Sequence, residues 1–596
     1  MDIIEGLIEH QINFVNIVHE LLPEIITSTK SENPSLGVND FSETNYKLPA
    51  TCFALLYTLD HPKNILKGQE WVKDDAITLI EMFLDQLKKN EQGEWELTEI
   101  NSEWLPYTVI RVTTILKDFI SDDLKERAKA YVEIYADHGM HEPMFFTAFN
   151  HESWRCMYLY LAGETYGRED WKEASLFLMH QLLKCKTKEN FWEESTHHGP
   201  SMKYNQLMLM PMAWLSKMSN DPLIEEAAKN LSEFMSTWTF PDGTTVGAFD
   251  GRQSTSLMMF SPVIPGLELH PQGATLNQRG IDLWNDHGHL SNKKYLGNSN
   301  WYAFFSSFNI ADSLIYFSKY GLENIENSSL PIDEPQVKLI NHSTEFNGML
   351  IRDNDWVLAT SSQNTDIPRA AHSVFRLERQ SRLELWHKEY GVIIGGGHNV
   401  GGLSTPLANV VHTVNEDIEC EFGYVEPSRA RGGRKAKSLY ICRAVSSEFK
   451  DGASELTQIF GNGTFHWVNK AIDDNHFEFS VEWELLNIQK LYLQLPLVLW
   501  RDQSLSINKK NIDGRDPGLT DKIESIKILN NDQKPIITVS IPEYGETRIR
   551  TGIRQLQSYG PLFEKEYFEP PYFINLISTQ FINPEKNGKI KWEIKV

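Results

Sequence analysis

The stretch from residue 140 to 205 opens MHEPMFFTAFNHESWR and closes FWEESTHHGPSMKYN. It sets Asn150 and His151 at the start of one predicted helix, and His197, His198 and Tyr204 around the start of another. An amide, imidazoles and a phenol together suit removal of a weakly acidic proton from a carbon beside a carboxylate. In a uronic acid that proton sits on C5, and it leaves only if a neighbour neutralises or hydrogen-bonds the carboxylate, so that the developing charge can spread into it. Asn and His side chains donate such bonds. A tyrosine, with a pKa of about 10 when unperturbed, can take the C5 proton or protonate the departing glycosidic oxygen once adjacent cations lower that value. The product carries a C4=C5 double bond, and no metal or organic cofactor is required.

Each residue also has a plainer reading. Asn150 suits the N-cap of a helix over 151–166. Tyr204 suits a core position ahead of LMLMPMAWL, although two histidines and a Gly-Pro turn just before it fit a helix interior poorly. Of the adjacent histidines, His198 is favoured slightly over His197 as the substrate contact. Arg252 follows Asp250 and Gly251 in a loop, where it either grips a carboxylate bidentately or makes a surface salt bridge of little energetic value. Most of the sixteen tryptophans belong to cores; Trp154 and Trp192 flank the constellation and are the two singled out for stacking on a sugar. The basic run RARGGRKAK at 429–437 reads as a solvated hairpin loop or as a flap over an anionic sugar chain.

The elements that must hold these groups change character once along the chain. Up to about residue 320, apolar residues recur at three and four, as in AITLIEMFLDQLKK and WKEASLFLMHQLLK, the period of amphipathic helices. Roughly ten to twelve such segments follow one another, joined by short turns. Loops such as FPDGTTVGAFDGRQSTS are rich in aromatic and small residues, which suits an (α/α) toroid of helix hairpins. Residues 322–342 are polar, proline-containing and without period, and read as a linker. Beyond them the period shortens to two, as in HFEFSVEWELL and PIITVSIPEY, the pattern of an antiparallel β-sandwich. The predicted architecture is a catalytic toroid over 1–325 followed by a sandwich over 326–596 that contributes to the cleft.

Composition narrows the partners. Hydrophobic residues are 41% and charged residues 23%, the balance of a folded protein. A net charge of -24 argues against nucleic acid or an anionic membrane as partner, yet leaves room for an anionic sugar met by a local group of Arg, His and Asn, because exposed charges are screened beyond roughly 10 Å. Five cysteines without a CxxC predict free thiols. The first twenty residues lack the pattern of a signal peptide, so the expected location is the cytoplasm, or the periplasm or exterior if an export signal was removed. No apolar run is long enough to span a membrane.

Four stretches, AFNHESWR, FWEESTHHGPSMKYN, FPDGTTVGAFDGR and FNGMLIRDNDWVLATSS, resemble motifs of the heparinase II/III-like polysaccharide lyases, a superfamily that includes oligoalginate lyases. Their order and the toroid-then-sandwich plan are similar to the family's; elsewhere the likeness is architectural. The resemblance implies β-elimination on a uronate-containing polysaccharide or oligosaccharide. Asn150 and His151 would neutralise the substrate carboxylate, Tyr204 would act as general acid and base, and a histidine from the sandwich would complete the site. The match for the last is His372, in IPRAAHSVFRLERQSRLELW, with Arg376 beyond it, among Arg379 and Arg382, as a sugar contact beside His198 and Arg252. Several members carry His-x-His at this point together with a zinc-supporting set. Here the residues are His372, Ser373 and Val374, which leaves a structural zinc in the sandwich only the scattered His387, His398 and His412. Two rivals stand beside this reading: a glycoside hydrolase on a similar toroid using Glu193, Glu194, Asp242 or Asp250, and a non-catalytic carbohydrate-binding protein of the same fold.

Overall fold

A computed structural model of the chain describes residues 3–29, 48–97, 103–144, 149–193, 200–249, 257–259, 261–286, 300–321, 328–362, 382–395, 410–413, 444–516, 518–553 and 572–596. Eleven α-helices lie among them: α1 (Ile3–Thr29), α2 (Ala50–Thr58), α3 (Glu70–Leu84), α4 (Trp104–Ile115), α5 (Asp122–His141), α6 (Phe149–Tyr166), α7 (Glu169–Leu183), α8 (Met202–Ser219), α9 (Pro222–Thr237), α10 (Pro271–Asp286) and α11 (Asn300–Tyr320). Each helix from α2 to α6 packs on the next and on the next but one. The result is an inner row, α2, α4, α6 and α8, with α3, α5, α7 and α9 outside it. Outer helices are amphipathic: α5 and α9 bury one stripe and leave their charged face to solvent. Inner helices are apolar nearly all round, as in ATCFALLYT of α2, where Ala50 to Tyr57 are all buried.

The last helix joins the ends of the inner row. It packs against α2 and reaches α4 and α8 through one buried ionic group. Asp312 accepts hydrogen bonds from the Tyr107 hydroxyl and from Trp214 Nε1 at 2.8 Å. Arg111 Nε donates to the Tyr107 oxygen at 2.7 Å, lies 3.7 Å from the Asp312 carboxylate, and stacks its guanidinium 3.9 Å from the Trp214 ring centre. Burial pushes the Asp312 carboxyl above its ordinary range, and the Arg111 charge opposes that shift.

From Gln336 onward every described strand pairing is antiparallel, in one sheet of ten strands and another of nine. Along Trp356–Ser361, Trp356 and Leu358 face a core shared with Trp467, Phe479 and Trp592 of the nine-stranded sheet, while Val357 and Ala359 join the core of the helices. Successive side chains point to opposite faces. The ten-stranded sheet is therefore covered on both sides, and its central strand KLYLQLPLVLW, Lys490–Trp500, is an almost unbroken apolar run.

Two elements depart from the sequence reading. A small hairpin, Leu87–Lys89 with Trp95–Leu97, interrupts the helices. Gln336–His342, read as linker, is the edge strand of the ten-stranded sheet, and its half-exposed, alternating polar pattern is what an edge strand shows. Cys52, Cys156 and Cys185 are free thiols. Among the described residues no helix is long and apolar enough to cross a membrane.

Removing one partner of the ionic group should leave Arg111 buried and uncompensated, so Asp312→Ala should lower stability by about 3–5 kcal/mol in denaturant unfolding. A second buried carboxylate gives a pH signature. Glu268 accepts from the Gly266 amide at 2.7 Å and the Tyr316 hydroxyl at 3.0 Å, and burial pushes it up to about 7. Its folded pKa exceeds the unfolded value of about 4.3, so its contribution to stability is full below that pH and is lost as pH rises through about 7. Glu268→Gln should flatten that part of the pH–stability curve, as read by thermal unfolding from pH 4 to 8.

Candidate active site

Helices α6 and α8 start at the same end of the molecule. Ser175 of α7 donates to the Cys156 carbonyl of α6, which fixes these two as an antiparallel pair and sets the end of α7 beside the start of α6. Trp192 then donates from its indole to the Leu182 carbonyl at that end, while its backbone amide donates to the Asn205 side chain at 2.9 Å. Asn205 returns bonds to the carbonyls of Trp192 and Ser201, pinning the first turn of α8 there. Farther along, the Tyr160 hydroxyl of α6 meets the Met218 carbonyl of α8 at 3.3 Å.

Both helices are enclosed, and each leaves one side chain near its start partly open. From Phe149 to Tyr160 every residue is buried except His151, and from Met202 to Ser216 every residue is buried except Tyr204. The first turn of α6 also carries a polar group without a bond. The Asn150 side chain is buried, and neither its Oδ1 nor its Nδ2 has a hydrogen-bond partner among the described residues. The N-cap reading of Asn150 is thereby corrected: the helix begins one residue earlier, at Phe149, and the amide oxygen caps nothing. An unpaired buried amide costs roughly 1–3 kcal/mol, which a ligand bond would recover.

His151 sits against α4. Its Nδ1 lies 2.5 Å from Glu103 Oε1, and its ring meets Trp104 edge-on at 4.8 Å. One turn on, Arg155 is engaged with Glu152 at 2.5 Å and with the Glu142 carbonyl at 3.2 Å, tying the end of α5 to the start of α6. Glu103 was not legible as a site residue, because its partner lies far along the chain.

Trp154 and Trp192 do not stack on a sugar. Trp154 is fully buried among Trp104, Tyr107 and Phe308, and Trp192 is 1% exposed. An indole enclosed on both faces offers no platform, and these two hold the helices together instead. His387 is likewise taken: Nδ1 accepts the Glu389 amide, and Nε2 lies 3.2 Å from the Asp474 carbonyl. Among the described residues no three His, Cys, Asp or Glu side chains gather as a metal site. His197, His198, Arg252, His372, Arg376, His398 and the 429–437 run lie outside the described residues.

The points from which three of those segments depart do meet, at Phe346. The 194–199 segment is closed at its base by a Glu193–Pro200 bridge, next to Phe191, whose ring is 6.3 Å from Phe346. The 250–256 segment is closed by Thr245 donating to Leu257, and Phe249 at its entrance lies 5.2 Å from Phe346. The 363–381 segment leaves the sheet at Ser362, whose amide and hydroxyl both bond Asn347, the residue after Phe346. Gly247 also lies so close to Glu384 that a Cβ there would come 2.7 Å from the carboxylate, bringing the second and third of these segments' bases into contact. Asp242 fastens the same loop to the sheet through Trp386 Nε1 at 2.7 Å, which commits this carboxylate to a structural bond.

No family model matches this sequence, and no curated protein matches it. The chain is similar in structure to the chondroitin AC lyase of Streptomyces coelicolor A3, with a TM-score of 0.51 and 10% identity over 100% of this chain and 83% of that one. A xanthan lyase from Paenibacillus gives 0.49 and 11% identity over 98% of this chain, which spans 56% of the xanthan lyase chain. A heparan sulfate lyase variant from Pedobacter heparinus gives 0.43 and 8% identity over 93% of this chain and 76% of that one.

Phe346 is 1% exposed. Phe346→Ala should cost about 3–5 kcal/mol, and amide exchange followed by mass spectrometry should rise at Thr245 and Ser362 together, because both bonds depend on the same ring. In its fold, along the whole of its length, this chain matches a polysaccharide lyase.

Proposed function

We propose that this chain is a polysaccharide lyase that cleaves a uronate-containing polysaccharide or oligosaccharide by β-elimination, on an (α/α) toroid whose site is completed by a β-sandwich. The observation that carries the reading is the pairing of two helices that over Phe149–Tyr160 and Met202–Ser216 open only at His151 and Tyr204, with the buried, unbonded amide of Asn150 next to the first of these. Asn150 and His151 bind the substrate carboxylate and draw the developing charge into it. The C5 proton passes to His372, the C5–H electron pair becomes the C4=C5 bond, the C4–O bond breaks, and Tyr204 protonates the departing oxygen. His372 is the second proton-transfer group, and His198, Arg252 and Arg376 hold the sugar. The convergence of the bases of their segments on Phe346 supports this assignment. Hydrolysis by a carboxylate pair finds less support, since Asp242 is buried and bonded to Trp386 and Thr244.

Tyr204→Phe keeps the ring and removes the proton donor. It should abolish the ultraviolet absorbance of unsaturated product when a panel of uronate polysaccharides is screened. Wild-type rates in that variant would remove Tyr204 as the acid.

A further inference from the structure

The contact between Glu103 and His151 has chemical content beyond packing. Glu103 immediately precedes α4, where an acidic side chain commonly caps the helix, yet it makes no capping bond. Its carboxylate is turned instead to His151, with buried Oε1 2.5 Å from Nδ1 in an ion-pair contact whose geometry is not that of a hydrogen bond. Trp104 holds the other side of the ring edge-on. The neighbouring charges are committed elsewhere: Arg155, on the same helix, pairs with Glu152 and lies 3.9 Å from the Glu142 carboxylate, which in turn meets His138 at 3.3 Å.

We propose that Glu103 is a positioning residue that fixes the orientation and charge of His151. A ring whose Nδ1–H faces the Glu103 carboxylate can donate a bond from Nε2 only when it carries both protons. A carboxylate-binding His151 therefore needs the ionised Glu103 at its back, and Nε2 is the nitrogen turned away from Glu103. This deepens the lyase reading and rests on it for the identity of the bound anion, though not for the state of the ring.

Glu103→Gln is nearly isosteric and removes only the charge. Against a uronate polysaccharide it should raise KM about tenfold at pH 8, with kcat less affected. The defect should close as pH falls below about 6, where an ordinary imidazole protonates without help. Glu103→Asp, which keeps the charge, should retain most of the wild-type pH profile. An unchanged KM, or a loss equal at every pH, would overturn the proposal. The ring is also read directly by nitrogen NMR of histidine-labelled protein, with the His151 signal assigned by its loss in His151→Gln. His151 should lose its second proton at lower pH in Glu103→Gln than in wild type, and identical titration would refute the pairing. Should the wild-type protein release no unsaturated product from any uronate, the lyase reading fails while the ring titration still decides the role of Glu103.

Discussion

A helix enclosed on every side can offer chemistry only where a side chain escapes the packing, and this constraint shapes the candidate site. The inner helices α6 and α8 are covered by outer helices, by each other and by the aromatic packing around α4 and α11. Their middles are consequently buried and largely apolar, and over Phe149–Tyr160 and Met202–Ser216 the partly open side chains lie in the first turns. There the packing leaves His151 and Tyr204 partly open and Asn150 buried without a bond. An unpaired amide is tolerated only where the rest of the structure supplies the stability, here through the Asp312 group and the tryptophans that hold the row together.

The sheets matter to the site through one covered face. Because strand side chains alternate, the ten-stranded sheet can seal the core between the sheets with one face and the helical core with the other. Phe346 stands where that second face meets the ends of α7 and α9, in contact with Phe191, Phe234, Trp238 and Phe249. Such a cluster is rigid because each ring is held by several others, with edge-on geometries that favour one arrangement. It gives three segments from distant parts of the sequence a common foundation. Their bases are fixed by backbone hydrogen bonds, while the segments beyond carry the residues assigned to sugar binding and proton transfer.

Much of this was legible in the residues, because it follows from periodicity. The change from a period near 3.6 to one of two separated helices from sheets, and the continuous run LMLMPMAWL already read as an apolar helix. What failed was whatever depended on partners remote in sequence. Trp154 and Trp192 looked available beside the polar motif, yet exposure is set by neighbouring helices and nothing in their own segments reports it. Asn150 looked like a cap because Asn before a helix usually is one; its unbonded amide appears only in three dimensions. Gln336–His342 was lost among proline and asparagine because an edge strand needs little hydrophobicity. Glu103 carried no local signal, resembling an ordinary helix-start acid, and Phe346 stood at the head of the motif-like stretch FNGMLIRDNDWVLATSS without any sign that three segments converge on it.

The central claim is that bond cleavage proceeds by elimination, and the mass of the products tests it most directly. Elimination adds no water, so the fragments released from a defined uronate oligosaccharide should sum to the mass of the substrate, and one fragment should carry an unsaturated terminal ring. Fragments that together exceed the substrate by one water for each bond broken would show hydrolysis and contradict the account.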